Sequence, residues 1–299
     1  MRKFFGTREM SFNSDQIIFL INPSSGNGDY LRIIKAIQQC DDAIDHFITG
    51  SKEETKTFLE TIDPKYKVLV ICGGDGTINS VLNYAVKSKL VFAVLPNGSG
   101  NGFARELGYR KDVAFTIDRI KKGNTHEIDV LKVNDNYCCN VAGIGFDSFI
   151  AKQFEENSKR GLLTYVVETI KGFRNYQGID ASLTINNTTE EGSYFMICFA
   201  NTRQFGNNTV IAPNADPHDG LIDVVLIRKF HKALIPFIAL KLLSRKGKNS
   251  KYIRYYKTDT IKVDTRYSLF HTDGEPLVKT GTILNVKISD TIQLIQTQN

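Results

Sequence analysis

The sequence predicts two folded domains, an α/β domain followed by a mostly antiparallel β domain. Its 299 residues match the length of about two domains. The first part alternates unbroken apolar runs with amphipathic stretches, a pattern typical of a parallel sheet covered on both faces. After about residue 125, short strand-like segments dominate. The change lies near Gly123–Glu127, so we predict domains at 15–125 and 126–299.

In the first domain, each apolar run predicts a buried strand and is followed by a helical pattern. The predicted strands are Ile17–Ile21, His46–Thr49, Val68–Cys72 and Val91–Leu95. Four features predict the helices between and after them: the three-residue spacing of Leu31, Ile34 and Ile37, the capping-box pair Ser51 and Glu54, the apolar face from Ile78 to Val86, and the stretch Phe103–Leu107.

The second domain is predicted to be a sandwich or barrel, because its strand-like segments are short and closely spaced. They are Ile128–Val133, Tyr137–Ala142, Ala181–Ile185, Tyr194–Ala200, Leu221–Ile227, Thr260–Val263, Ile283–Ile288 and Thr291–Ile295. Two longer helical stretches interrupt them, at about 147–175 and 231–245.

The composition excludes several classes of protein. With 41% hydrophobic and 23% charged residues, the chain is not expected to be disordered or fibrous. No apolar run approaches the roughly 20 residues of a membrane-spanning helix. The five cysteines have no CxxC spacing, which favours a reducing compartment over a disulfide framework. We therefore expect a cytoplasmic protein.

The positive charge is concentrated in one segment. The net charge is +6, yet Arg228–Lys257 holds ten Lys and Arg and no acid, while the rest of the chain has 28 basic and 32 acidic residues. Apolar residues are interleaved with the basic ones, which suits an anionic membrane surface. A packed helix with a solvated basic face is the alternative. Nucleic acid is not the expected partner, because no nucleic-acid fold signature is present.

Three glycine-rich turns, Asn22–Gly26, Gly73–Thr77 and Asn97–Gly102, follow predicted strands of the first domain. Ligands of open α/β sheets bind beyond the carboxyl ends of the strands. Glycine lets the backbone approach a phosphate, and helix N-termini present free N–H groups to it. Three such turns at one sheet edge predict a polyphosphate site. Neither the Walker motif nor a GxGxxG dinucleotide fingerprint is present.

Asp75 lies inside the second glycine turn, where phosphates would repel a carboxylate. A divalent cation or a hydroxyl donating to Asp75 would explain its place there. The alternative is an aspartate that only satisfies its own turn.

Four motifs, taken together and in this order, resemble the diacylglycerol kinase catalytic family, which includes bacterial diacylglycerol and YegS-like lipid kinases, sphingosine kinases and ceramide kinases. They are Asn22–Gly26, Gly73–Asn79, Pro96–Asn101 and Asp273–Pro276. The resemblance extends from Ile17 to Ile295. It implies a Rossmann-like or phosphofructokinase-like N-terminal domain, a C-terminal antiparallel β-sandwich and an active site in the cleft between them.

The resemblance also implies site residues. The expected ATP-binding residues are Asn22, Pro23, Ser24, Ser25, Gly26, Thr49, Gly73, Gly74, Asp75, Gly76, Thr77, Ile78, Asn79 and Ser99. Glu275, Asp273 and Asp75 would be the catalytic acids. The stretch from Pro213 to Leu221 resembles a structural magnesium loop, with Asp216, Asp219 and the Leu221 carbonyl as ligands. Without the resemblance, that stretch would be interpreted as a plain turn.

The function implied is ATP-dependent, Mg²⁺-assisted phosphorylation of a lipid hydroxyl by a protein peripheral to the inner face of the membrane. The third turn, Gly98-Ser99-Gly100-Asn101-Gly102, resembles sphingosine kinases and lacks the final Asp typical of bacterial diacylglycerol kinases. Diacylglycerol and a sphingoid base therefore both remain open as acceptors. The alternatives are a kinase of a soluble acceptor, similar to NAD kinases, and a non-catalytic lipid- or nucleotide-binding regulatory protein. A sandwich edge strand could also pair two copies in a homodimer.

Overall fold

The computed structural model describes residues 8–26, 28–156, 172–173, 176–206, 209–243 and 246–297. The chain divides into two compact units. The first unit contains the residues up to Asp129 and those from Asp290 onward, and the second runs from Val130 to Ser289. Each unit is described separately below.

The first unit is an α/β unit in which strands and helices alternate. Its elements in chain order are β1 (Arg8–Glu9), β2 (Ile17–Ile21), α1 (Tyr30–Cys40), β3 (Asp45–Ile48), α2 (Lys52–Glu60), β4 (Val68–Gly73), α3 (Asp75–Ala85), β5 (Val91–Pro96), α4 (Gly102–Glu106), α5 (Val113–Lys122) and the start of β6 (Asn124–Val133). All the strands and helices predicted for this part of the sequence are present, whereas β1 and α5 were not predicted.

The sheet of the first unit is parallel. β4 pairs with β2 on one side and β5 on the other, and β2 also pairs with β3. Every residue of β2, β4 and β5 is buried. Strands buried on both faces explain why these segments appear in the sequence as unbroken apolar runs. α1 packs against α5, and α2 against α3.

The second unit is built from antiparallel strand pairs. Its elements are the end of β6, then β7 (Asn136–Cys138), β8 (Val141–Gly145), α6 (Phe146–Glu156), β9 (Ile179–Ile185), β10 (Thr188–Ala200), β11 (Ile222–Arg228), α7 (Ile235–Leu243), β12 (Ile253–Thr258), β13 (Thr260–Asp264), β14 (Leu269–Thr272), β15 (Glu275–Val278) and most of β16 (Ile283–Ile295).

The long strand β10 organises this second sheet. Its first half pairs with β9, and its second half pairs with β8 on one side and β11 on the other. β12 extends the sheet beyond β11, and β14 and β15 extend it beyond β8. Tyr194, Phe199 and Phe270 are among its largest fully buried side chains. The hairpin of β14 and β15 therefore lies at a sheet edge.

Apart from β1, α5, β12, β14 and β15, which were not predicted, the structure differs from the sequence-based expectation in the following three places. Residues 290–299 lie with the first unit, although the predicted boundary groups them with 126–299, because Leu294 near the end of β16 pairs in parallel with Phe92 of β5. The predicted strand Tyr137–Ala142 is two strands, β7 and β8. The predicted helix at 147–175 begins as α6, and its continuation over 157–171 lies outside the described residues.

Candidate active site

The three glycine-rich turns lie at the same edge of the parallel sheet. β2, β4 and β5 are neighbours running in one direction, so their carboxyl ends lie side by side. The turn at Asn22–Gly26 follows β2, the turn at Gly73–Thr77 follows β4, and the turn at Asn97–Gly102 follows β5. The prediction that all three turns share one sheet edge is confirmed.

Hydrogen bonds tie each of the three turns to the other two. Asn22 Nδ2 in the first turn donates to Thr77 Oγ1 in the second at 3.0 Å. Asn97 Nδ2 in the third turn donates to the Ser25 carbonyl in the first at 3.2 Å. The Asn97 backbone N–H donates to the Gly73 carbonyl at 2.8 Å. The turns therefore form one hydrogen-bonded unit, which we call the three-turn cradle.

At Gly74 and Gly98, the second and third turns touch through their backbone atoms. A Cβ built on Gly98 would lie 2.5 Å from the Cα of Gly74, well inside contact distance. Gly26 adopts a φ of +66°, and a Cβ there would lie 2.6 Å from the Asn97 carbonyl oxygen. The glycines that suggested a phosphate site are therefore also required to bring the turns together.

Asp75 holds the third turn in place. It is the first residue of α3, and its two carboxylate oxygens accept the backbone N–H groups of Gly102, at 3.0 Å, and Phe103, at 3.2 Å. These N–H groups open α4 and have no acceptor within that helix. The carboxylate thus has a structural task that the sequence did not reveal. A carboxylate offers about four acceptor positions, so binding to a cation or hydroxyl remains compatible with it.

The other residues predicted to contact the nucleotide differ in their solvent exposure. Ser24, Gly26 and Ser99 are exposed, and Asn22, Pro23, Ser25, Gly74, Gly76 and Asn79 are half-buried. Gly73, Thr49, Thr77 and Ile78 are buried. The Thr49 hydroxyl donates to the Ser51 carbonyl and contacts the Thr55 hydroxyl at 2.7 Å. The Thr49 side chain therefore supports the start of α2 rather than facing a ligand.

The three-turn cradle fits a phosphate-bearing ligand. The N-terminus of α3, whose N-cap is Gly74, opens within the cradle, and such an end attracts anions through its unpaired N–H groups. The Asn97 side chain is 2% exposed, and its Oδ1 has no hydrogen-bond donor among the described residues. A buried acceptor without a donor is costly. A donor group of a bound ligand would satisfy it.

The motif Asp273-Gly274-Glu275 forms a tight hairpin in the second unit. Thr272 at the end of β14 pairs with Glu275 at the start of β15, which leaves Asp273 and Gly274 as a two-residue turn. Their φ angles are +52° and +86°. Two positive φ angles in an Asp-Gly pair are typical of the turn that matches the twist of a β-hairpin. The turn places half-buried Glu275 at the first position of an edge strand.

The Asp273 carboxylate anchors this hairpin. It accepts the backbone N–H of Asn140 at 2.8 Å and that of Cys139 at 3.2 Å, and it lies 3.0 Å from the Cys138 thiol. These N–H groups lie between β7 and β8, which explains why the predicted single strand is interrupted there. Asp273 was predicted to be catalytic, and the contacts of its carboxylate hold the turn before Glu275 in place.

A buried His–Asp pair holds the same hairpin from the other side. His271 Nε2 lies 3.2 Å from Asp147 Oδ2, and the Gly274 N–H donates to His271 Nδ1 at 3.3 Å. His271 and Asp147 have side chains that are 3% and 8% exposed. A Cβ on Gly143 would lie 1.8 Å from Asp147 Oδ2, so that glycine makes room for the pair. The sequence did not point to either residue, because one His and one Asp 124 positions apart form no local pattern.

The predicted metal ligands Asp216, Asp219 and Leu221 lie in the loop before β11, where both aspartates accept hydrogen bonds. Asp219 Oδ1 accepts the Leu221 backbone N–H at 2.9 Å, and Asp219 Oδ2 accepts the Lys257 ammonium at 2.6 Å. Asp216 Oδ1 accepts the His218 N–H at 3.1 Å. Both Asp219 oxygens thus accept N–H donors, and a metal ion bound by this loop would share Asp219 with the Lys257 ammonium.

Two family models match the chain. The diacylglycerol kinase catalytic domain matches residues 16–133, and the YegS C-terminal NAD kinase beta sandwich-like domain matches residues 140–295. The second match alone covers more than half of the chain.

Individual proteins are similar over most of their length. A protein of Shewanella frigidimarina named "Probable lipid kinase YegS-like" is 28% identical over 87% of this chain and 86% of its own. A Bacillus subtilis diacylglycerol kinase is 25% identical over 86% and 88%. The crystal structure of a diacylglycerol kinase from Bacillus anthracis superposes with a TM-score of 0.69 at 19% identity, over 94% of this chain and 97% of that one. The structural likeness shows a shared fold.

We expect Asp75→Ala to release the start of α4, because the N–H groups of Gly102 and Phe103 lose their acceptor. The free energy of unfolding should fall by about 1 kcal/mol, as for other helix caps. Asp112→Ala is the matched control, since Asp112 caps α5 by accepting the Phe115 N–H at 3.0 Å. Hydrogen exchange should speed up at Gly102 and Phe103 only in Asp75→Ala. Unchanged exchange at both amides would contradict the contact.

Proposed function

Because the chain belongs to the diacylglycerol kinase catalytic family, we propose that this kinase uses ATP to phosphorylate the hydroxyl group of a lipid. The observation that carries the proposal is the three-turn cradle, in which three glycine-rich turns, an open helix N-terminus and the orphaned Asn97 oxygen lie together at one sheet edge.

The first unit would bind the nucleotide. Phosphoryl transfer depends mainly on positioning and on neutralising charge rather than on covalent help from the protein. Backbone N–H groups of the cradle and the N-terminus of α3 supply partial positive charge for this purpose. Mg²⁺, when bound with ATP, supplies further neutralisation, and the Asp75 carboxylate at the start of α3 would contact it.

The second unit would supply the general base. Glu275 is half-exposed at the start of an edge strand. The two carboxylate oxygens of Asp273 accept the backbone N–H groups of residues 139 and 140. We assign Glu275 to accept the proton of the acceptor hydroxyl as that oxygen bonds to the γ-phosphorus and the bond to the leaving ADP oxygen breaks. Asp273, His271 and Asp147 would act by holding the hairpin that carries Glu275.

A lipid is favoured over a soluble acceptor by the similar proteins named as lipid and diacylglycerol kinases. The third turn resembles that of sphingosine kinases and lacks the final Asp typical of bacterial diacylglycerol kinases. Diacylglycerol and a sphingoid base are therefore the two acceptor classes to compare. A soluble acceptor is the second candidate, because the C-terminal family model is described as NAD kinase beta sandwich-like. A regulatory protein without catalysis is disfavoured, since all three predicted acids are present.

The basic segment Arg228–Lys257 would bring the protein to a membrane surface. Its helix α7 exposes Phe237 at 47% and Leu240 at 68%, and the Lys241 ammonium lies 5.3 Å from the Phe237 ring centroid. Exposed apolar residues beside lysines suit an interface with anionic lipids. No helix within the described ranges is long and apolar enough to cross a bilayer. We propose peripheral contact with the cytoplasmic face of the membrane.

The proposed reaction is tested with labelled ATP and a panel of diacylglycerol, sphingosine, ceramide and NAD, the lipids in mixed micelles. We expect label transfer to a lipid. Glu275→Gln should lower turnover by roughly 10²–10⁴-fold, the usual contribution of a general base, without changing the free energy of unfolding. Asp273→Ala should also lower stability, by about 1–3 kcal/mol for each N–H left unpaired.

Two outcomes would overturn these assignments. Transfer to NAD alone would establish the soluble acceptor. Wild-type turnover in Glu275→Gln would remove Glu275 as the base.

Membrane contact is tested by pelleting the full chain with vesicles of phosphatidylglycerol and phosphatidylcholine. We expect the double variant Phe237→Ser, Leu240→Ser to bind these vesicles much more weakly than the wild type. Leu31→Ser is the matched control, because Leu31 is 65% exposed on α1 of the first unit. If the double variant and the control pellet equally well, α7 is not the contact surface.

A further inference from the structure

The side-chain amide of Asn97 is bonded at its nitrogen and unsatisfied at its oxygen. Asn97 Nδ2 donates to the Ser25 carbonyl at 3.2 Å. A carbonyl oxygen can only accept, so this contact fixes which end of the amide carries the N–H groups. The side chain is 2% exposed, and Oδ1 has no hydrogen-bond donor among the residues that the structure describes. The three-turn cradle therefore contains a buried acceptor that its own described groups do not satisfy.

A second asparagine of the cradle shows that joining the turns does not require such an oxygen. Asn22 Nδ2 also bridges two turns, since it donates to Thr77 Oγ1 at 3.0 Å. Its Oδ1, however, accepts the Ser24 backbone N–H at 2.9 Å. Of these two bridging asparagines, Asn97 is the one whose oxygen has no donor. Because a buried acceptor without a donor is costly, the Asn97 oxygen calls for a further partner.

The Asn97 oxygen lies beside the last residue of the first turn. A Cβ built on Gly26 would lie 3.1 Å from Asn97 Oδ1 and 2.6 Å from the Asn97 carbonyl oxygen. Gly26 itself is exposed. The oxygen is thus next to a solvent-exposed residue that has no side chain to cover it. A ligand held between the first and third turns would approach the oxygen from this side.

The chemistry of ATP limits which group could donate to this oxygen. The charged phosphate oxygens that the cradle would bind are hydrogen-bond acceptors. ATP carries its donors on the ribose, as hydroxyl groups, and on the adenine, as an amino group. The ribose is joined directly to the α-phosphate, whereas the amino group is at the far side of the base. A ribose hydroxyl is therefore the donor of ATP that lies nearest to a phosphate-binding cradle.

We propose that Asn97 Oδ1 accepts a hydrogen bond from a ribose hydroxyl of the bound nucleotide. This inference rests on the proposed function, in which ATP occupies the three-turn cradle. Asn97 is then a specificity-determining residue that favours a ribonucleotide over a deoxyribonucleotide. A deoxy analogue leaves the buried oxygen unpaired, and sites built to bond a hydroxyl group discriminate against ligands that lack it for this reason.

The test is equilibrium binding of ATP, 2′-deoxy-ATP and 3′-deoxy-ATP to the full chain in the presence of Mg²⁺. One of the two deoxy nucleotides should bind the wild type at least roughly tenfold more weakly than ATP does. Asn97→Ala should bind ATP and that deoxy nucleotide with equal affinity. Asn22→Ala is the matched control, because it also removes a bridge between turns. It should weaken the binding of both nucleotides and keep the wild-type ratio between them.

Three outcomes would overturn the inference and leave the proposed ATP site standing. The first is a wild type that binds ATP and both deoxy nucleotides equally, which needs no variant to fold. The second is discrimination that persists in Asn97→Ala. The third is a wild type that rejects only inosine triphosphate, which lacks the amino group, because the oxygen would then contact the base.

Failure of the proposed function gives a different result. A folded wild type that binds neither ATP nor its deoxy analogues would remove the ATP site, and the role of Asn97 with it.

Discussion

The candidate nucleotide site depends on the backbone-to-backbone approach of Gly74 and Gly98. No side chain separates the second and third turns there, and any Cβ on Gly98 would overlap the Cα of Gly74. Beside this approach, the Asn97 backbone N–H of the third turn donates to the Gly73 carbonyl of the second. The N-terminus of α3 and the start of α4 are held together by the same approach. The geometry that would receive the phosphates therefore follows from three adjacent parallel strands and from glycine at their carboxyl ends.

The aspartates of the motifs share a structural role, whatever their chemical role: each accepts backbone N–H groups. Asp75 accepts the first N–H groups of α4, Asp273 accepts those between β7 and β8, and Asp219 accepts that of Leu221. A carboxylate oxygen accepting backbone N–H groups fixes a turn firmly, because such charge-assisted bonds are stronger than neutral ones. Spacing in the sequence cannot separate this role from catalysis or metal binding. The contacts show this structural role for Asp75, Asp273 and Asp219, and Glu275 is the acid that we propose for the proton transfer.

Much of the first unit was predictable, because parallel strands buried on both faces leave unbroken apolar runs such as Val68–Cys72. The shared edge of the three turns followed from the same pattern. Long-range partners were not predictable. Asp273 interrupts a strand 133 residues away, and His271 meets Asp147 across 124 residues. Lys257 appeared in the sequence only as one of ten basic residues, and cross-strand register alone places it beside Asp223. The strands β14 and β15 were missed because they have only four residues each, and β12 because four of its six residues are at least partly exposed.

The central claim, that the three-turn cradle is the ATP site, is tested most directly by measuring ATP binding in the presence of Mg²⁺ at equilibrium. Gly98→Ala should lose nearly all affinity, because the added Cβ forces the second and third turns apart. Lys89→Ala, at an exposed position of the first unit outside the three turns, should bind within a few-fold of wild type and serves as the control. Wild-type affinity in a folded Gly98→Ala protein would contradict the account.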